Sequence, residues 1–167
     1  FVNSAGIVNQ NGLTLVASSQ SHFNQSFIDH SLFGFQLNNS KYGSFGISLE
    51  NSSVNYGGNN LVKEIAVGLH QGIALRTDGI SSFSVGYGIK SYSVEYGSSA
   101  GPSGDGSDGI NLGSLNTIGL DISFLGSLGN RIRAGAKALN INSPSLGNAN
   151  NATRLPQRAQ IGLAYSP

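Results

Sequence analysis

Large apolar side chains recur at every second position along this chain, and glycine falls among them too often for any stretch to hold a helix. In Phe45-Gly46-Ile47-Ser48-Leu49 the large groups take the odd positions. The same alternation runs through Ile65, Val67 and Leu69, through Phe83, Val85, Tyr87 and Ile89, and through Ile118, Leu120, Ile122 and Phe124. It returns in Ile132, Ala134, Ala136 and Ala138 and in Ala159, Ile161, Leu163 and Tyr165. Weaker segments lie near Leu13–His22 and Ser31–Leu37. Successive side chains of a strand point to opposite faces, so each segment is a strand with one apolar face and one small or polar face. The reading is about eight strands and no helix.

Two architectures share that pattern. A soluble sandwich turns the apolar faces inward against one another, whereas a membrane barrel turns them outward to lipid and keeps a polar lumen. The connections favour the second. Asn38–Lys41, Arg76–Gly79 and Gly126–Asn130 are short turns rich in Asn, Asp and Gly. Phe23–His30, Asn51–Asn60, Gly97–Gly109 and Asn140–Pro156 read as long loops, so long and short alternate along the chain. Outer-membrane barrels have this asymmetry, with short periplasmic turns and long outer loops. The fold class expected is therefore all-β: an antiparallel up-and-down transmembrane β-barrel or a segment of one, with residues 1–167 forming one barrel domain or partial barrel.

Charge supports that choice. Only 10% of residues are charged, against roughly 25% in soluble domains. Most charges within strands fall opposite the apolar series: Glu64, Lys90, Asp121, Arg133, Lys137 and Arg158, with Arg131 on that face or at the turn edge. Together with His70, which shares the polar face of its segment, Glu64, Lys90, Asp121, Arg133, Lys137 and Arg158 form the expected lumen-facing, ligand-contacting set. A net charge of +1 gives no electrostatic case for nucleic acid. With no Cys and three His, thiolate or histidine-rich metal sites are not expected, nor is any cofactor. No run approaches the ~18 apolar residues of a spanning helix. The chain opens on Phe1 and contains no Met, as a processed chain or part of a longer one would.

Local motifs read more simply as structure. Gly104–Gly109 matches a G-x-G-x-x-G spacing, but no helix pattern follows, and Asp105 and Asp108 would repel a pyrophosphate. Two carboxylates in a loop are also weak Ca²⁺ ligands. Gly86-Tyr87-Gly88 lies in mid-strand, where glycine permits close packing. Glu50, Glu64, Glu95, Asp105, Asp108 and Asp121 show no glycosidase spacing, and no G-x-S-x-G elbow occurs. His22 and His30 bracket a loop and are expected in solvent. Glycosylation-type triplets begin at Asn24, Asn38, Asn51 and Asn151, three of them in expected outer loops. Phe23, Phe27, Tyr42, Tyr56, Tyr92, Tyr96, Phe124 and Tyr165 lie toward expected strand ends, where aromatic girdles meet a membrane interface. No enzyme is expected.

The last third carries the most distinctive pattern: Gly119-Leu-Asp-Ile-Ser-Phe-Leu, a short turn, Arg131-Ile-Arg-Ala-Gly-Ala-Lys-Ala-Leu-Asn-Ile-Asn-Ser-Pro, then Leu155-Pro-Gln-Arg-Ala-Gln-Ile-Gly-Leu-Ala-Tyr-Ser-Pro. It resembles the FadL-like outer-membrane barrels, particularly the branch around the PorV and PorQ proteins of type IX secretion. Asn3-Ser4-Ala5-Gly6 is similar to the Asn-Pro-Ala-Gly near the barrel start of that group, with Ser4 in place of Pro. The resemblance covers nearly the whole chain by pattern more than by identity. It implies the N-terminal half or so of a barrel in the bacterial outer membrane or at the cell surface. It further implies passage of small hydrophobic molecules or the anchoring of surface and secreted proteins.

Partners expected are membrane lipid and further strands, supplied by more sequence, another chain or copies of this one. The alternative is an extracellular structural β-protein whose edges join copy to copy in a sheath or filament.

Overall fold

The computed structural model describes residues 3–9, 12–21, 27–39, 41–56, 59–98, 102, 109–110, 113–129, 131–147 and 152–166. After a 3-10 turn at Ser4–Asn9, the chain forms β1 (Leu13–Ser21), β2 (Ile28–Asn39), β3 (Gly43–Tyr56), β4 (Asn59–Thr77), β5 (Ser81–Tyr96), β6 (Ser114–Leu128) and β7 (Ile132–Leu139). Two short strands, β8 (Ser145–Leu146) and β9 (Thr153–Arg154), precede β10 (Arg158–Tyr165). β1 to β7 and then β10 form one antiparallel up-and-down sheet of eight strands in chain order, curled into a half-barrel. β8 and β9 pair only with each other. β1 and β10 are the two edges.

The faces are partitioned as the alternation requires. Phe45, Ile47 and Val67 are 41%, 45% and 42% exposed on the convex side, and Ile122 shares their face through its register with Tyr87. Buried side chains on the concave side are small or polar: Ser44, Ser48, Ser84, Ser123, Gln36, His70 and Asp121. Among the described residues the buried apolar side chains are only Ala5, Ile7, Val94 and Leu146. A continuous apolar convex face far exceeds the patches that monomers leave in water.

The register also fixes how that apolar face crosses the strands. A row perpendicular to the strands leaves Leu13 and passes Leu37, Phe45, Gln71, Tyr87, Ile122 and Ala138 to reach Ala159. Leu13 begins the apolar run of β1 at its short-turn end, whereas Ala159 begins the run of β10 at the opposite, long-connection end. The apolar runs therefore step along the sheet. A step of about six residues over seven strand spacings corresponds to a tilt near 30°. On β4 the run from Ile65 to Leu75 covers about 33 Å of strand, or 25–30 Å across a band at that tilt. Beyond its long-connection edge the convex charges Asp29, Lys63 and Glu95 lie in register through Ser53, and at the short-turn end Arg76 lies in register with Phe83.

Gln71 interrupts the apolar series, and the structure shows how it is accommodated. The Tyr87 hydroxyl donates to Gln71 Oε1, and Gln71 Nε2 donates to the Tyr42 carbonyl at 2.8 Å. Its amide is thus partnered within the sheet surface.

Three expectations change. The segment 51–60 is not a long loop: β3 runs to Tyr56 and β4 starts at Asn59, with a register shift at Val54/Asn55. Polarity had marked where the apolar face stops, but backbone pairing does not need apolar side chains and continues past that boundary. Asn51 accordingly lies in a strand. The long connections are those at 22–27, 97–113 and 140–157, against three-residue turns at 40–42, 78–80 and 129–131. His30 is not a solvated loop residue but a half-buried member of β2. The expectation of no helix missed the 3-10 turn at Ser4–Asn9. His22, Phe23, Asn24, Asp105, Asp108 and Asn151 lie outside the described residues.

Short turns are built locally. Gly43 follows one with φ of +85°, a conformation that costs any other residue strain. In the β4–β5 turn, Asp78 Oδ1 accepts from the backbone N–H groups of Ile80 at 2.9 Å and Ser81 at 2.6 Å. Arg76 pairs with Oδ2 at 2.8 Å. These hydrogen bonds, the backbone ones first, hold the Asp78 carboxyl below its ordinary value. A depressed carboxylate stabilises the fold above its unfolded pKa and loses that contribution as pH falls through the folded one. Thermal melts from neutral to strongly acid pH should therefore show a flatter acid limb for Asp78→Ala than for the parent chain.

Candidate functional site

The concave face is occupied at two levels. Toward the short-turn end, residues 3–9 lie across β3 to β6 and are tied down by backbone contacts. Ala5 N donates to Ser123 Oγ at 2.9 Å, Ser84 Oγ donates to the Ala5 carbonyl at 2.9 Å, and Gln36 Nε2 donates to the Ile7 carbonyl at 2.8 Å. Ala5 and Ile7 are 0% and 3% exposed. This approach demands glycine beneath it. A Cβ on Gly86 would overlap the Ser4–Ala5 backbone, and one on Gly72 would meet the Ser4 carbonyl oxygen at 2.6 Å.

His70 fastens this segment to the sheet. Its Nδ1 shares a hydrogen bond with Ser4 Oγ and its Nε2 one with Ser48 Oγ, each at 3.0 Å. The ring lies over two glycines: a Cβ on Gly68 would come within 2.6 Å of Nε2, and one on Gly88 within 2.9 Å of Nδ1. Either tautomer is served, because a hydroxyl both donates and accepts. With both nitrogens held by hydroxyls beneath a bound segment, the imidazole acts as a clasp.

Next to the clasp lies an ion cluster. Lys90 Nζ is 3.8 Å from Glu50 Oε1 and 3.7 Å from Asp121 Oδ2, with Lys90 and Asp121 side chains 12% and 7% exposed. Gly68 and Gly119 face Lys90 in register and leave its side chain room. Asp121 Oδ1 also accepts from the Asn140 backbone N–H at 2.9 Å. Asn140 has a positive φ of 55° and turns the chain inward, receiving the Tyr92 hydroxyl at 3.3 Å and donating to the Pro156 carbonyl at 3.2 Å. Asn142 completes the attachment, accepting from Leu120 N at 2.9 Å and donating to the Ile118 carbonyl at 2.8 Å.

The long connection after β7 is therefore pinned to β6, and it brings Leu146 and Leu155 over the concave face. Between them and the sheet is a chamber of about 220 Å³ whose walls include His30, Glu50, Ser52, Glu64, Tyr92 and Val94. Tyr92 was expected at a membrane-facing girdle; it lies instead on the concave side, half-buried, because it shares the parity of Lys90 and Val94. Phe124, on the convex face toward the short-turn end of β6, stacks on Phe83 at 6.4 Å between ring centroids.

All seven residues expected on the polar face share the concave parity. The structure joins Lys90 to Asp121, places His70 in the clasp and sets Glu64 in the chamber wall. Arg133, Lys137 and Arg158 stand apart toward the β10 edge, with Lys137 in a separate cavity bordered by Asn3 and Gln160. Sequence reasoning gave Ser4 and Ser48 no contact with His70, gave Asn140 no place in the site, and assigned Tyr92 to the wrong face. One signal was available for the first two. Ser44, Ser48, Gly68, Gly72, Ser84, Gly86, Gly88 and Ser123 make an unbroken small surface over four neighbouring strands, which a second piece of backbone can approach.

No family model, curated protein or solved structure matches this chain.

Gly86→Val should displace residues 3–9 and cost about 1–3 kcal/mol through overpacking. Limited proteolysis should then cleave near the N-terminus, whereas Gly162→Val, at a site with nothing within 4 Å of its Cβ, should leave the digest unchanged. Lys90→Met should destabilise by about 3 kcal/mol, because it leaves Asp121 buried without its cation. Adding Asp121→Asn should return part of that loss in denaturant titrations.

Proposed function

We propose that this half-barrel is part of an outer-membrane β-barrel of the FadL-like type that gives passage to small hydrophobic molecules and catalyses no reaction. The observation that carries the reading is the partition of faces. A tilted apolar band about 25–30 Å high covers the convex side, close to the ~25 Å band of barrels in outer membranes. Burial of such side chains in hydrocarbon contributes roughly 1.5–3 kcal/mol each, which a sheet with so few buried apolar residues needs. The concave face is the lumen lining in this reading, with residues 3–9 as its filling and the chamber as the open part of the route.

Unpaired edges do not survive in hydrocarbon, where every exposed backbone group costs several kcal/mol. β1 and β10 therefore need partner strands from further sequence, another chain or a second copy. Those same edges favour one other reading, an extracellular structural protein that assembles copy to copy through β1 and β10.

The test is insertion into liposomes made from outer-membrane lipid. Leu69→Arg or Ile89→Arg on the convex face should each weaken folding in lipid by about 2–4 kcal/mol, while Gln160→Glu on the concave face, opposite Lys137, should cost little. A chain that stays in water and forms long polymers with no lipid requirement would replace the membrane reading with the structural one.

A further inference from the structure

We infer that the chamber under Leu146 and Leu155 is a binding site for a small amphiphile carrying a protonated amine beside an apolar body. The inference rests on the concave face being the lumen lining, and it names the chemistry that the lining selects. The sheet wall of the chamber offers the carboxylates of Glu50 and Glu64 next to the ring of Tyr92 and Val94, which faces Glu64 in register, and the connection after β7 adds Leu146 and Leu155. Leu146 is 8% exposed and Val94 7%, so these apolar side chains are shielded from solvent.

Charge decides which head group fits. Lys90 is shared between Glu50 and Asp121, and the three together carry one net negative charge at neutral pH. Glu64 adds a second, and among the described residues its carboxylate has no hydrogen bond or ion pair. Among the described residues no Lys or Arg lines the chamber, and His30 is the one basic side chain in its wall. An entering carboxylate would meet the like charges of Glu50 and Glu64. An ammonium group meets Glu64, an exposed carboxylate at the chamber's rim, with Glu50 beside it on the neighbouring strand.

Size limits the ligand further. At about 220 Å³ the chamber is smaller than the cavities that take drug-sized molecules. It holds about seven waters' worth of volume, which suits an unbranched chain of around six carbons. The Tyr92 hydroxyl is engaged by Asn140, so the ring presents its face and edge as apolar surface with a cation–π component for an approaching ammonium.

The full chain in lipid nanodiscs can be titrated with hexylamine, hexanol and hexanoate at neutral pH, with empty nanodiscs as the partition blank. The chamber should bind hexylamine at least tenfold more tightly than hexanoate. Glu64→Gln should weaken hexylamine about tenfold and leave hexanol unchanged, whereas Leu155→Ser should weaken both. Hexanoate binding equal to hexylamine, no saturable binding of any of the three, or an unaltered hexylamine affinity in Glu64→Gln would each overturn the inference. Failure of the membrane reading shows separately, as failure of the parent chain to insert into liposomes.

Discussion

Pairing of one strand with the next carries this structure, because the sheet has almost no apolar interior to fall back on. From β1 to β7 each strand is bonded to its neighbour in sequence, and β10 closes the row against β7, while the large side chains stand on the convex surface. In water such an arrangement forgoes the main source of folding free energy. Its apolar contribution comes from whatever covers the convex face, which is why the medium outside the sheet matters more here than packing within it.

The inner surface follows from the same economy of side chains. Glycine and serine on adjacent strands leave a shallow bed, and into it settle residues 3–9 with their backbone groups satisfied by Ser84, Ser123 and Gln36. A polar interior has to account for each donor and acceptor. Here the accounting is done by hydroxyls, one imidazole and one carboxamide, and Ser44 Oγ is a buried atom with no partner among the described residues. The segment is thus fastened by directional contacts at a few points and not by apolar bulk.

Farther toward the long connections the lining changes character. Lys90 compensates Asp121, whose burial would otherwise be costly, and Asn140 converts the same carboxylate into an anchor for the chain after β7. One buried charge pair therefore does two things: it compensates Asp121 on the concave wall and helps set where Leu146 and Leu155 hang. The chamber's mixture of carboxylate and leucine results from the way Asn140 and Asn142 fasten this connection to β6.

The strands themselves were legible from alternation alone, since a two-residue period has only one backbone that satisfies it. So was the side on which Glu64, Lys90 and Asp121 would stand. The extension of β3 to Tyr56 was not legible, because Asn and Ser look the same in a loop as on a solvated hairpin. The inward position of Tyr92 was misjudged for a related reason: its type suggested an interface, while its parity with Lys90 had already assigned it a face.

Parity, then, is what the amino-acid order decides by itself, because adjacent side chains of a strand must diverge. It determined which atoms lie outside and which inside. Which inner residues touch was decided only by the tertiary structure. The contacts of His70 with Ser4 and Ser48, of Lys90 with Glu50 and Asp121, and of Asn140 with Asp121 depend on register between strands and on chain returning from far away. No local periodicity encodes those distances, since they exist only once the sheet has curled and both inserts have settled against it.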